Sequence, residues 1–309
     1  MSDISPTANR VFARRARHGA DLSPLTAWGL AMPSLLMLVG LMLVPTLIVV
    51  VLSFTDYEFG NTTAEWVGLG NYTALWNDTT FWRALGNTLK YVAFVVPGAV
   101  ILGLLQAVLV KNLTWGRQLY RVLFFLPVTS TLVAMATVWK YLMHGTIGPV
   151  NIFLVWLGFE RVEFFGNPDM VMVALAVIGI WALAGFNMVL FTAGLTTIPD
   201  DLYDAASVDG LDHPLDRFFR ITLPMLAPTT VFVTVTSSIT AFKVFDTVAV
   251  LTRGGPQGAS DVLLYTTYLE GFQYLRMAPA AAMTVVFLAI ILGLALLQNR
   301  ILDRKERLQ

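Results

Sequence analysis

The sequence predicts an all-α polytopic membrane protein with six transmembrane helices, on three observations. The 309-residue chain is 56% hydrophobic and only 13% charged, about half the charged share of a soluble domain. Its apolar residues fall into six runs free of Asp, Glu, Lys and Arg: Leu22–Thr55, Tyr91–Val110, Val122–Trp139, Met170–Pro199, Ile221–Phe242 and Met277–Asn299. A helix crosses about 30 Å of hydrocarbon with about 20 residues at 1.5 Å each. Five runs reach that length, and Val122–Trp139, with 18 residues, is extended by Lys140 and Tyr141 snorkelling to the boundary.

The same composition excludes other classes. Formal net charge is zero, so nothing points to nucleic acid. There is no cysteine, hence no disulfide framework, thiolate metal site or cysteine nucleophile. The three histidines, His18, His144 and His213, lack the paired spacing of metal ligands. No catalytic residue and no metal site is expected.

Taken in order, residues 1–21 are basic and poor in apolar side chains, which predicts a disordered cytoplasmic tail. The run that follows is too long for a signal-peptide core. It is expected to remain as the first span, kinked at Pro33 and Pro45. Residues 56–90 mix acids with Tyr57, Trp66, Tyr72, Trp76 and Trp82, as suits a membrane–water boundary. Lys111–Arg121 is a short basic turn. His144–Asp169 is a second outer loop with a short interfacial helix near Val150–Leu157.

The fourth run carries Asn187, whose amide must find a partner away from lipid. An interhelical hydrogen bond and a hydroxyl-binding position on a translocation pathway are the two readings of it. The fifth run is rich in small polar residues, which suit close helix packing. Lys243 and Asp246 are three residues apart and are expected to pair. Gly254-Gly255-Pro256 is a turn, and Asp261–Arg276 has helical spacing with Tyr265, Tyr268, Phe272 and Tyr274 on it. The transmembrane domain is thus placed at 22–299, with a basic cytoplasmic tail at 300–309.

Lysine and arginine placement sets orientation. With both termini cytoplasmic, 13 of the 20 lie inside and 7 outside. The polar stretch from Pro199 to Pro224 then falls in the cytoplasm. It reads as two short helices. Asp200 or Asp201 caps the first, Gly210 ends it, and Pro214 opens the second.

This stretch resembles the cytoplasmic loop shared by permease subunits of binding-protein-dependent ABC importers. Asp204-Ala205-Ala206 stands for the family's Glu-Ala-Ala, Gly210 follows at the right distance, and Ile221-Thr222-Leu223-Pro224 matches Ile-x-Leu-Pro. Asp replaces Glu, and ten residues rather than nine separate Gly210 from Ile221. Further motifs agree. Gly68-Leu69-Gly70-Asn71-Tyr72 and Phe124-Phe125-Leu126-Pro127 are similar to family features. Phe242-Lys243-Val244-Phe245-Asp246 with Leu251-Thr252-Arg253-Gly254-Gly255-Pro256 resembles the signature of the carbohydrate-type branch.

The resemblance implies a MetI-like transmembrane fold in the cell inner membrane. It implies a coupling role for Asp204, Ala205, Ala206, Gly210, Ile221, Leu223 and Pro224, and a substrate pathway near Asn187, Phe242, Phe245 and Asp246. The partners implied are a second permease subunit in a heterodimer, two ATPase subunits and an extracytoplasmic solute-binding protein. ATP and Mg would sit in the ATPase subunits, with no cofactor in this chain. The cargo implied is a sugar, oligosaccharide or polyol; glycerol-3-phosphate or glycerophosphodiesters are the alternative. None of the five lysines follows a glycine, so the chain has no phosphate-binding loop of its own. A stand-alone secondary carrier is the contrasting class, but the six runs lack the acids and histidines of a proton relay and show no inverted halves.

Overall fold

The computed structural model describes residues 24–211 and 213–306; the expected tail at 1–21 lies outside the described residues, as do 307–309. Every regular element among the described residues is helical, apart from an isolated bridge between Thr55 and Trp66. The chain divides into two compact units, Met1–Val51 and Leu52–Gln309.

The first unit is the opening span. Helix α1 (Pro24–Leu38) passes through one π-helical segment, Val39–Leu43, into α2 (Val44–Leu52). The π segment has a local cause. Pro45 has no N–H for the carbonyl four residues back, and its ring crowds that carbonyl. Just before it, the Val44 N–H reaches back five residues to the Val39 carbonyl, widening the turn where the ring must fit. Trp28, Leu36, Leu41 and Leu47 on this span stand exposed, which suits a helix bathed in hydrocarbon.

In the second unit α3 (Gly70–Asn77) leads into the long α4 (Thr79–Asn112), capped by the Asp78 carboxylate, which accepts the Thr80 N–H at 2.8 Å. Helices α5 (Arg117–Thr129), α6 (Leu132–Leu142) and α7 (Pro149–Trp156) follow, then α8 (Pro168–Thr196). The polar stretch forms α9 (Asp200–Val208), α10 (Pro214–Arg217), a π segment (Phe218–Thr222) and α11 (Leu223–Met225). The chain ends with α12 (Ala227–Phe242), α13 (Asp246–Leu251), α14 (Leu263–Tyr268), a π segment (Leu269–Gln273) and α15 (Met277–Glu306).

Helices α4 and α8 form the principal pair, with α12 and α5 packed on them. Two apolar clusters lie along this pair. One joins Tyr91, Val95, Leu175 and Ile178 to Val248 and Val262. The other joins Ala107, Val110, Met188, Phe191 and Leu195 to Leu226 and Val233. Lipid is as apolar as these side chains, so close packing rather than water exclusion holds the pair together.

Five helical stretches are long and apolar enough to span a bilayer: Trp28–Leu52, Thr79–Asn112, Pro168–Thr196, Ala227–Leu251 and Met277–Gln298. The third expected span, Val122–Trp139, is not continuous. It is a pair, Arg117–Thr129 and Val133–Leu142, bent by 106°. Pro127 occupies the last turn of α5, and Ser130 and Thr131 are extended. The Leu126 carbonyl that would bond onward accepts the Thr129 and Ser130 hydroxyls instead, at 2.9 and 3.2 Å. Counted as one broken span, the pair brings the number to six.

The Gly68–Tyr72 motif has a structural task. The Asn71 amide donates to the Ser53 and Thr55 carbonyls at 2.9 and 2.7 Å, and the Tyr72 and Ser53 hydroxyls meet at 2.7 Å. These bonds fasten α3 to the chain leaving the first span. Phe54 stacks on Trp66 at 5.4 Å. The predicted interfacial helix at Val150–Leu157 is α7, one residue earlier. At the other end α15 continues as helix through Glu306, past residue 299, where the transmembrane domain was placed to end.

Candidate functional site

The 199–224 stretch is built from its ends inward. Pro199, extended, is the N-cap of α9 and makes no side-chain cap bond, so neither Asp200 nor Asp201 is the expected cap; both occupy the first turn instead, where their charge favours the free amides. The helix stops at Gly210, which takes φ +79. There the Gly210 N–H bonds to the Ser207 carbonyl at 3.1 Å and the Leu211 N–H to the Ala206 carbonyl at 2.8 Å, a closure that favours glycine at the left-handed position. Beyond it, the His213 ring accepts the Leu215 N–H at 3.3 Å and Pro214 opens α10.

Side chains then lock the two halves together. Arg217 donates to the Leu211 carbonyl at 2.6 Å and the Ser207 hydroxyl at 2.8 Å. The Tyr203 and Thr222 hydroxyls meet at 3.0 Å. From the end of α4, the Lys111 ammonium sits 5.1 Å from the centre of the Tyr203 ring. Pro224 repeats the arrangement seen at Pro45, with a π segment just before it whose closing bond runs from the Leu223 N–H to the Phe218 carbonyl. Between α4, α9 and α10 lies a cavity of about 530 Å³, reached by Lys111, Asp200, Tyr203, Asp204 and Arg217.

The structure brings the matched residues into one stretch but gives them different environments. Ala206 is buried, whereas Asp204, Ala205 and Gly210 are exposed. Ile221 and Leu223 are half-buried and Pro224 is exposed. Val208 (89% exposed), Leu202, Leu215 and Phe219 give this end of the unit an apolar surface.

The expected pathway residues do not form one cluster. Asn187 is buried on α8 at 1% exposure, and its Oδ1 accepts the Ser237 hydroxyl of α12 at 3.0 Å. Its Nδ2 has no hydrogen-bond partner among the described residues. Phe242, five residues beyond Ser237 and so about 8 Å further along the helix, is buried at the end of α12, whereas Phe245 is half-buried and Asp246 exposed. The Lys243–Asp246 pair does not form. Helix α12 ends at Phe242, Phe245 has φ −146 and ψ −57, and α13 begins only at Asp246, so the two charges are not on one helix face. The ion pairs found in this region are Arg83–Asp261 and Arg276–Glu270.

The Gly254-Gly255-Pro256 turn is fastened to α4. Gly254 has φ +81 and the Gly255–Pro256 peptide is cis. The Asn87 amide donates to the Gly258 and Asp261 carbonyls, both at 2.9 Å, and the Thr88 hydroxyl accepts the Leu263 N–H at 2.9 Å. Asp261 takes Arg83 at 3.4 Å and the Thr266 hydroxyl at 3.2 Å. Burial pushes its carboxyl above the ordinary carboxylate value, and these two partners offset part of that rise. Sequence reasoning missed this network because its members lie more than 170 residues apart.

Beside the turn is a cavity of about 690 Å³ whose lining includes Phe245, Arg253, Tyr265, Tyr268, Gln273 and Tyr274. The aromatic spacing on 261–276 was visible in the sequence; the meeting of those rings with Phe245 and Arg253 was not. Arg253 has φ +50, a left-handed conformation that costs an L-residue roughly 1–2 kcal/mol. Its N–H closes α13 onto the Val248 carbonyl at 2.7 Å.

Residues 99–307 match the family described as binding-protein-dependent transport system inner membrane component. The sn-glycerol-3-phosphate transport system permease protein UgpA of Yersinia enterocolitica is 32% identical over 249 residues, 80% of this chain and 83% of its own length. The probable ABC transporter permease protein YesP of Bacillus subtilis is 35% identical over 245 residues, 78% of each chain. The sulfoquinovosyl glycerol transport system permease protein SmoG of Agrobacterium fabrum is 34% identical over 244 residues, 79% of each. Among solved structures, a chain of a bacterial ABC transporter involved in the import of the acidic polysaccharide alginate shares the fold, with a TM-score of 0.79 at 23% identity over 96% of this chain and 99% of its own. The stand-alone carrier reading is set aside by these matches. The chain belongs to the family of inner membrane components of binding-protein-dependent transport systems, as the non-catalytic permease subunit of an ABC importer.

Proposed function

We propose that this permease subunit moves a polyhydroxylated solute, a sugar, oligosaccharide or polyol, that an extracytoplasmic solute-binding protein delivers. It does so beside a second permease subunit, with two ATPase subunits binding ATP and Mg on the cytoplasmic face. Both termini and the 199–224 stretch lie on that face. The observation that carries this reading is the build of the stretch. An exposed short helix with apolar Val208 at its tip is tied to α4 through Lys111 and Tyr203 and to the start of the next span through Tyr203 and Thr222. A body that grips α9 therefore pulls on two spans at once. Coupling residues Asp204, Ala205, Ala206 and Gly210 are the surface held, and Ile221, Leu223 and Pro224 transmit the pull into α12.

A second reading of the cargo, glycerol-3-phosphate or a glycerophosphodiester, is favoured by the similarity to UgpA, and SmoG is likewise named for a glycerol glycoside. The complex captured through this chain and placed in proteoliposomes is expected to hydrolyse ATP faster when its loaded binding protein is added. Hydrolysis unaffected by the binding protein and cargo contradicts the importer reading.

A further inference from the structure

The cavity beside Gly254-Gly255-Pro256 holds chemistry beyond that of a general polyol pathway. It measures about 690 Å³, within the size range of small-ligand pockets. One wall is aromatic: the Phe245 and Tyr268 rings lie 5.3 Å apart, and Tyr265 and Tyr268 stack at 6.3 Å. The Gln273 amide donates to the Tyr268 hydroxyl at 3.1 Å, fixing a polar group at the rim. Aromatic faces suit the C–H faces of a sugar or polyol, and phenol hydroxyls suit its oxygens.

Arg253 is the charged member of this lining, and no carboxylate joins it there. Asp261 is engaged with Arg83, and Glu270 with Arg276 at 2.6 Å, while Asp246, next to Phe245 in the chain, is outside the lining. The Arg253 guanidinium makes no hydrogen bond or ion pair among the described residues, although it is near enough to Tyr265 to act on its phenol electrostatically. Arg253 is exposed, and its backbone takes a left-handed conformation that residues other than asparagine and glycine rarely adopt. A guanidinium so placed offers paired N–H donors to a planar or tetrahedral oxyanion.

We infer that this cavity is a cargo subsite in which Arg253 recognises an anionic group, so that the cargo is a polyhydroxylated solute bearing a phosphate, sulfonate or carboxylate. The inference rests on the importer reading and narrows it. The test uses the whole complex in nanodiscs without binding protein, with glucose 6-phosphate and glucose as probes, their affinities read by saturation-transfer NMR. The wild type is expected to prefer glucose 6-phosphate by about ten-fold or more, the size of one charge-assisted hydrogen bond. Arg253→Asn removes the charge yet suits the left-handed backbone, and is expected to abolish the preference; Arg253→Lys is expected to retain part of it. Equal affinities in the wild type, binding of neither probe, an unchanged preference in Arg253→Asn, or an equal loss for both probes overturns the inference. Stimulation of ATP hydrolysis by the binding protein, measured on the same preparation, reads the importer function separately, so failure of one is distinguishable from failure of the other.

Discussion

Deleting Asp204–Gly210 is expected to leave the chain inserted in the membrane and to lower cargo-driven uptake by about 100-fold, the upper range of energetic coupling between sites. The deletion removes the second half of α9, buried Ala206 and the Ser207 hydroxyl that accepts Arg217 included, together with its glycine closure. It leaves Tyr203, Thr222 and the apolar cluster of Ala107, Val110, Phe191, Leu195 and Leu226. The packing of the spans is therefore kept while the surface that a motor can hold is lost. Membrane-fraction yield reports insertion, and uptake of the cargo by cells reports coupling. Wild-type uptake in the deletion contradicts the role given to the stretch.

The second large effect concerns the pairing of α4 with α8. A Cβ on Gly103 would lie 2.6 Å from the Asn187 Cβ, 3.0 Å from the Ala184 carbonyl and 3.1 Å from the Met188 nitrogen. Two of these are backbone atoms, so no rotamer change relieves them. Gly103→Ala is expected to destabilise the subunit by about 2 kcal/mol through overpacking, and to disturb the bond between Asn187 and Ser237. Gly86 lies on the same helix with open space around it, so Gly86→Ala is expected to be neutral or slightly stabilising through helix propensity. Thermal denaturation of the purified complex compares the two. Equal effects contradict the close approach of the helices.

Much of this architecture was legible in the residues because hydrocarbon imposes a simple rule: a long stretch without charge must span. The rule placed α8 within a few residues at both ends, whereas α4 begins at Thr79, well before the predicted Tyr91, and α15 runs on past Asn299 to Glu306. The rule was blind to the break at Ser130–Thr131, since hydroxyls that bond back to the Leu126 carbonyl carry no charge and leave the run intact. Helical spacing joined Lys243 to Asp246 across a helix end, because spacing in sequence says nothing of where a helix stops. The 199–224 stretch could be read in detail because caps and breaks are local: Gly210 and Pro214 act on their immediate neighbours. Long-range contacts were out of reach, and so Asn87, Arg83 and Asp261 went unnoticed as the anchor of the outer turn, and Arg253 was read only as one letter of a motif.

In the proposed function α9 faces the cytoplasm and is held there by a motor on another chain. The sequence contains no cysteine, and Val208, 89% exposed at the end of α9, offers a place for a single one. With Val208→Cys, a membrane-impermeant maleimide is predicted to leave intact cells unlabelled, to label inside-out vesicles stripped of ATPase subunits, and to label them poorly once those subunits are restored. Labelling of intact cells, or labelling that the ATPase subunits do not reduce, contradicts the account.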